Sequence, residues 1–301
     1  VIALAAIIFP IYWMFIASFK ENSILMRVPP QLYPTFKTID NYISIITNTK
    51  YLNYIKNSFV VASLTVIVDL ALAIFAGYSL SRYRYPGRKT IMTLTLSAQV
   101  FPTVVIIISL YSLFSKLKLM NSYQGLMLAD VAMSLPLSVW MMKSFCDSVP
   151  KSLDEAARVD GCSRFKTMTQ IVIPLMKPGM LAVGIYAFLQ SWDDYMIALV
   201  VMNKTSMKTL PVGIAETFLG EFGFDYAGMM TVSVVASLPV LLLFLEFQLG
   251  YIQFHLHKSH IKGDQLIPRL HLVSRAYKNI LNDHVLVHRD SLGGIGINIS
   301  A

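Results

Sequence analysis

The stretch IMTLTLSAQVFPTVVIIISLYSLFS, residues 91–115, contains no charged residue. A run of about 20 apolar residues crosses a bilayer core of roughly 30 Å as a helix, and a buried helix of a water-soluble domain is seldom that long. The same rule, applied outward from this run, finds more. Residues 1–19 hold no charge before Lys20, residues 57–81 hold Asp69 alone, and residues 119–142 hold Asp130 alone. The full reading gives about six spans, at 1–19, 57–80, 91–115, 120–142, 178–202 and 226–250. Composition agrees: 55% of the 301 residues are hydrophobic and 14% are charged, against about 25% charged in soluble domains. The expected fold is all-α, a polytopic membrane helical bundle.

The chain starts on Val1 and enters an apolar run at once, so leading residues are expected to be missing. A cleaved signal peptide is the alternative for 1–19. The segment from Ile11 to Ile16 offers no small-residue cleavage site, which favours a spanning helix. The transmembrane domain is assigned to 1–257. Residues 258–301 form a tail of unassigned role, either a true extension or a frameshift product.

Charge sets orientation. The loop 81–90 holds Arg82, Arg84, Arg88 and Lys89, and 143–178 holds Lys143, Lys151, Arg158, Arg164, Lys166 and Lys177. Short loops rich in Lys and Arg stay in the cytosol, so both are cytosolic and 20–56 faces out, with one short helix near 40–47. The five basic residues of 20–56 weaken this asymmetry without reversing it. Net charge is +8, of which six basic and three acidic residues of the tail supply part. The basic residues stand at membrane boundaries, as a protein facing anionic lipid requires. No basic stripe with interleaved aromatics points to nucleic acid.

All six histidines lie at or beyond His255, so the expected spans carry no imidazole for acid–base or metal chemistry. Cys146 and Cys162 are read as thiols of one cytosolic loop with no zinc spacing. No metal site is expected. Pro102, Pro136 and Pro239 fall inside spans and should bend them, because each removes a backbone donor.

The segment after span four, VPKSLDEAARVDGCSRFKTMTQIVIPLMKPG (149–179), reads as helix–turn–helix. Ser152 with Glu155 three residues on fits a capping box. Gly161 suits a left-handed helix stop, and Ser163 can cap a second helix. Leu153, Ala157, Phe165, Met168 and Val172 supply apolar stripes. The small residues Ala156 and Ala157, flanked by Glu155, Arg158 and Asp160, permit close docking of another protein.

Glu155-Ala156-Ala157, then Asp160-Gly161, then the Ile171 to Pro174 ending resembles the EAA loop of ABC importer permeases. The resemblance implies that this loop couples to a cytosolic ATPase, through Glu155, Ala156, Ala157, Asp160, Gly161 and Pro174. Ser18-Phe19-Lys20, Asp40-Asn41-Tyr42, Asn57-Ser58 opening span two, Ser81-Arg82-Tyr83 with Gly87, and Thr209-Leu210-Pro211-Val212-Gly213 are similar to the maltose-type carbohydrate branch. Trp192-Asp193-Asp194-Tyr195 resembles that branch's Trp-Asn-Asp/Glu-Phe/Tyr motif, with Asp193 at its Asn position. The similarity covers roughly residues 1–248.

The resemblance implies a multi-pass protein of a prokaryotic cell membrane. Its implied partners are ABC ATPase subunits, a second homologous permease subunit and a solute-binding protein. The sequence holds no Gly-x-x-x-x-Gly-Lys-Ser/Thr phosphate loop, so ATP and Mg are expected to act in the partner and this chain is not expected to be an enzyme. Trp192, Asp193 and Asp194 are candidates for a sugar path, an aromatic face with carboxylates that accept hydroxyl protons. An interfacial Trp with two helix-end carboxylates is the alternative, and Asp69 and Asp130 are read as packing residues. Two competing functions stand beside the carbohydrate importer. One is an ABC permease for another solute. The other is an ion-coupled secondary transporter, which should show inverted repeats that are not visible here.

Overall fold

The computed structural model describes residues 2–33, 39–218 and 225–260. The chain divides into two compact units, Val1–Phe247 and Gln248–Ala301. Of the second, residues 248–260 at the end of the last helix lie among the described ones, and the expected tail from 261 onward lies outside them.

The described residues form helices and connecting turns, with no strand among them. In chain order they are α1 (Ile2–Ala17), α2 (Asn22–Leu25), α3 (Asp40–Thr47), α4 (Thr49–Arg82), α5 (Arg88–Ser97), α6 (Thr103–Lys116), α7 (Tyr123–Ser148), α8 (Lys151–Val159), α9 (Arg164–Thr167), α10 (Ile173–Leu175), α11 (Lys177–Trp192), α12 (Met196–Val201), α13 (Leu210–Phe218) and α14 (Tyr226–His260). Among the described residues three helical stretches are single apolar helices long enough to cross a membrane: Thr49–Arg82, Tyr123–Ser148 and Tyr226–Glu246. Two bent pairs raise the number to five, and Ala3–Ala17 is a shorter apolar helix. Each of the six expected apolar segments is therefore helical, and the protein is an all-α polytopic membrane bundle.

Helices α4, α7 and α11 pack together as the centre. Gly77 is the close point between α4 and α7, where a Cβ would lie 2.9 Å from the Lys143 backbone nitrogen. Only 28% of the apolar window of α4 is buried inside the chain, against 56% for α7. The remaining apolar surface, with Phe59, Ile67, Leu72 and Phe75 exposed along α4, would be a liability in water and is stable against lipid or a partner subunit. Asp69, fully buried on α4, accepts a 2.7 Å hydrogen bond from Ser134 Oγ of α7, the packing role expected of it.

Several boundaries move. The helix of span two begins before Asn57-Ser58. Helix α4 starts at Thr49, capped by Asn48, whose Oδ1 accepts from the Lys50 amide at 3.0 Å. Asn57 and Ser58 are instead buried latches. Asn57 donates to the Ser206 and Lys208 carbonyls, both at 2.9 Å, and Ser58 Oγ accepts from the Leu210 amide at 2.8 Å. The expected span 91–115 is bent at Pro102, as anticipated, and the bend is a full break: two helical pieces meet at 98°. Phe101 takes extended backbone, as a residue before proline prefers, and α6 restarts after Pro102. Gln99 donates to the Met133 carbonyl at 2.8 Å and holds the break against α7. Helices α7 and α14, in contrast, run through Pro136 and Pro239. The fifth expected span also breaks, between α11 and α12 at 193–195. Cys146 belongs to α7 and is buried, not in a loop, because α7 continues to Ser148.

Candidate functional site

Helix α8 and the turn after it carry the Glu-Ala-Ala sequence. Pro150, with φ −58°, precedes the first helical residue, and no side chain caps α8. The expected Ser152–Glu155 capping box is therefore absent. The reason is register: with the helix starting at Lys151, Ser152 lies one residue inside it and its backbone is already helical. At the other end the expectation holds. Gly161 has φ +76°, its amide donates to the Arg158 carbonyl at 3.1 Å, and the Cys162 amide donates to the Ala157 carbonyl at 2.9 Å. This pair of bonds is a Schellman end, and the left-handed residue it needs is a glycine. Nothing lies within 4 Å of a Cβ placed there, so the requirement at Gly161 is backbone conformation and not space.

Ser163 Oγ accepts from the Lys166 amide at 3.3 Å and caps α9, as expected. Met168–Val172 then widens into a π turn, in which the Ile173 amide reaches the Met168 carbonyl. Pro174 explains the widening. It has no N–H for the carbonyl four residues back, and its ring would press on that carbonyl. The helical stretch ending at Leu175 meets α11 at 79°, so Pro174 stands at the corner that returns the chain to the membrane.

Of the nine residues of α8, Asp154 and Ala157 are buried. Glu155, Ala156, Arg158 and Asp160 are exposed, as are Gly161 and Pro174. Ala157 therefore packs inward and does not share a docking surface with Ala156, because successive helical residues point about 100° apart. The outward face shows Leu153, Ala156 and Val159 at i, i+3 and i+6, with Val159 87% exposed and Phe165 of α9 65% exposed. Phe165 thus leaves the apolar stripe expected for it, while Met168 and Val172 join the core with Met142 and Val183. The exposed surface of α8 is thus an apolar strip flanked by Glu155, Arg158 and Asp160.

Beneath α8 lies a cleft of about 370 Å³ between α8, α9 and the end of α4, lined by Arg84, Lys151, Glu155, Arg158 and Arg164 among others. At its inner wall Arg82 Nε meets Asp154 Oδ2 at 3.0 Å. Tyr78 Oη donates to Asp154 Oδ1 at 3.3 Å, and Arg82 Nη2 donates to the Val149 carbonyl at 2.9 Å. Sequence reading missed these residues. Arg82 looked like a topology charge and a member of the Ser81-Arg82-Tyr83 motif, and only its joint burial with Asp154 could have singled out the pair.

The outer trio is brought together but used unevenly. Trp192 is buried, stacks on Phe188 with ring centroids 5.4 Å apart, and donates from Nε1 to the Ala236 carbonyl at 3.2 Å. Asp194 accepts from the Ile197 amide at 3.2 Å and the Ala198 amide at 2.8 Å, so it caps α12. Asp193 alone is exposed. Asp130, buried on α7, accepts from Ser191 Oγ at 2.5 Å. In this fold Trp192 and Asp194 have structural partners, and Asp193 is the member left exposed.

Residues 69–255 match the family described as binding-protein-dependent transport system inner membrane component. The sequence is 34% identical to the trehalose/maltose transport system permease protein MalG of Thermococcus litoralis, over 85% of this chain and 92% of that one. It is 33% identical to the sulfoquinovosyl glycerol transport system permease protein SmoH of Agrobacterium fabrum, over 80% and 84%. The fold is similar to a chain in the crystal structure of a bacterial ABC transporter involved in import of the acidic polysaccharide alginate, with a TM-score of 0.71 and 19% identity, covering 82% of this chain and 91% of that one.

Proposed function

The chain belongs to the family of binding-protein-dependent transport system inner membrane components, and from that premise we propose that it forms one half of the translocation path of an ATP-driven carbohydrate importer. The observation that carries the reading is the α8 loop: a helix ended by a left-handed Gly161, presenting Leu153, Ala156 and Val159 outward between charged residues. In this reading the loop seats in a cleft of a cytosolic ATPase, with Glu155, Ala156, Asp160 and Gly161 at the contact. Ala157 and Pro174 shape the loop from behind. ATP and Mg act in that partner, and this chain performs no chemistry of its own. The other partners are a second permease subunit and a solute-binding protein on the outer side.

A carbohydrate as solute is supported by the relatives, whose names place them in transport systems for trehalose/maltose, sulfoquinovosyl glycerol and arabinooligosaccharides. Asp193 is the proposed contact with solute hydroxyls, with Trp192 and Asp194 shaping the wall behind it. Residues 1–257 are taken as the permease domain.

The test is isolation of the tagged chain from its native membrane, followed by uptake in vesicles with maltose, trehalose and arabinotriose as probes. The expected result is co-purification of an ATPase and a second polytopic subunit, and ATP-dependent uptake that persists when ion gradients are dissipated. Uptake that collapses with the gradient, from a chain that retains no ATPase, overturns the proposal in favour of a secondary transporter.

A further inference from the structure

We propose that the Arg82–Asp154 ion pair is the strut through which the docking loop moves the transmembrane core. This rests on the docking role proposed above for α8 and goes beyond it by naming how motion of the loop reaches the membrane. Of the nine residues of α8, Asp154 and Ala157 are the two that are buried against the rest of the chain. Ala157 offers a methyl group. Asp154 offers a carboxylate, and its side chain is 12% exposed against 6% for Arg82.

The Arg82 guanidinium binds two elements at once. Its Nε stands 3.0 Å from Asp154 of α8, an ion-pair contact without hydrogen-bond alignment, and its Nη2 donates to the carbonyl of Val149, in the link between α7 and α8. Only a planar, many-donor cation does this from one position. Tyr78, one helical turn earlier on α4, holds the second oxygen of Asp154. Ser81, next to Arg82, donates to Asp147 Oδ1 at 2.5 Å and fastens α4 to α7 at the same level. Arg82 is the last residue of α4, a helix of 34 residues, and such a helix spans about 51 Å at 1.5 Å per residue. A push on α8 therefore arrives at the inner end of a rod that reaches across the membrane.

The conformations at both ends of α8 favour its moving as one piece. Pro150 is extended and Gly161 is left-handed, so the helix is bounded by two turns. Between those turns the buried charge pair resists separation, because parting it leaves each charge in a site with little water. Arg82 and Asp154 are positioning residues in this account, and neither touches solute or nucleotide.

The test uses the whole transporter, this chain with its second permease subunit and its ATPase, reconstituted in vesicles. Asp193→Cys, in a chain with Cys146→Ser and Cys162→Ser, reports on the outer end through its rate of labelling by an impermeant maleimide. With the pair intact, a non-hydrolysable ATP analogue changes that rate. Arg82→Gln and Asp154→Asn should each shrink the nucleotide-dependent change by roughly tenfold, and the double variant should shrink it no further, as substitutions that remove one shared contact are not additive. ATPase retention and hydrolysis should stay near the level of the unsubstituted pair, which a merely structural role would not require. A full nucleotide response in both single variants, additive losses in the double, or no response with the pair intact overturns the strut. Loss of ATPase from the otherwise unsubstituted chain overturns the docking role instead. If the charge variants fail to insert, Tyr78→Phe removes one hydroxyl and keeps the pair. It should reduce the response by about twofold or more, and an unchanged response then overturns the proposal.

Discussion

At the inner end of the α4–α7–α11 core the carboxylate of Asp154 faces the Arg82 guanidinium at 3.0 Å, while at the outer end Asp130 and Asp194 are met by the Ser191 hydroxyl and the Ile197 and Ala198 amides. The inner contact joins residues 72 positions apart, on two helices. The outer contacts of Asp194 reach three and four residues along the chain. A carboxylate that caps its own helix fixes local shape. A carboxylate paired across elements links bodies that can move against each other. Asp130 also pairs across elements, 61 positions from Ser191, and ties α7 to α11 while Asp194 caps α12, so the outer end is a wall braced twice. The Arg82 end, where α8 is held between two turns, is the proposed joint.

The largest expected effect breaks that contrast at the wall. Trp192 fills space against Phe188 and ties α11 to α14 through the Ala236 carbonyl. Trp192→Ala should therefore cost about 3–5 kcal/mol through the cavity it leaves. A lowered melting temperature and less assembled transporter are expected, with ATPase held normally by each surviving chain. Unchanged melting with uptake abolished would make Trp192 a solute contact, and the wall would have to be redrawn as a binding site.

The next effect tests the joint. Gly161→Val forces a β-branched residue to φ +76°, at a cost of about 1–2 kcal/mol or more. The Schellman end should open, uptake should be lost and ATPase retention should weaken, while the spans still insert. Gly161→Asn should keep most of the function, because asparagine tolerates the left-handed region and the site has room for a side chain. Normal uptake and ATPase retention in Gly161→Val would sink the assignment of the loop.

A smaller effect returns to the wall. Asp194→Ala removes the cap of α12, worth about 1 kcal/mol. Faster amide exchange is expected at Ile197 and Ala198, with ATPase retention untouched. Protection that does not change would assign the start of α12 to packing alone.

The two ends also differ in how much of them the sequence disclosed. The inner loop was legible because its signals are local. Gly161 and Ser163 declare a helix end and a helix start by their own backbone chemistry, and both stand where expected. The apolar runs were legible for the same reason. What failed depended on register or on tertiary partners. A two-residue shift in the start of α8, from Leu153 to Lys151, removed the Ser152–Glu155 box. The neighbours Ala156 and Ala157 divided between surface and core. Pro102 interrupts its span, as expected, but Pro136 leaves α7 continuous, although both follow apolar residues. Trp192 and Asp194 had the composition of a sugar site, yet their hydrogen-bonding groups are taken by Ala236, Ile197 and Ala198. Arg82 and Asp154 stood in plain view, and nothing in the residues around either pointed to the other.

The smallest expected effect sharpens the comparison most, because it separates the loop's own stability from its contact with a partner. Glu155 is exposed and caps nothing. Alanine is at least as good a helix former as glutamate, so Glu155→Ala should leave α8 as stable as before. Any loss of ATPase then reports a contact made by this carboxylate in the complex. If that contact is an ion pair at the rim of the docking surface, its removal should weaken ATPase retention by about twofold to fivefold. The loss should be visible at low ionic strength and fade as salt rises, since exposed pairs are screened. Retention that is unchanged at low salt would make Glu155 a solvated residue and leave docking to Leu153, Ala156 and Val159. A loss of about a hundredfold, insensitive to salt, would instead place the carboxylate in a desolvated pocket of the ATPase, and the joint would then hold two buried carboxylates, one on each face of α8.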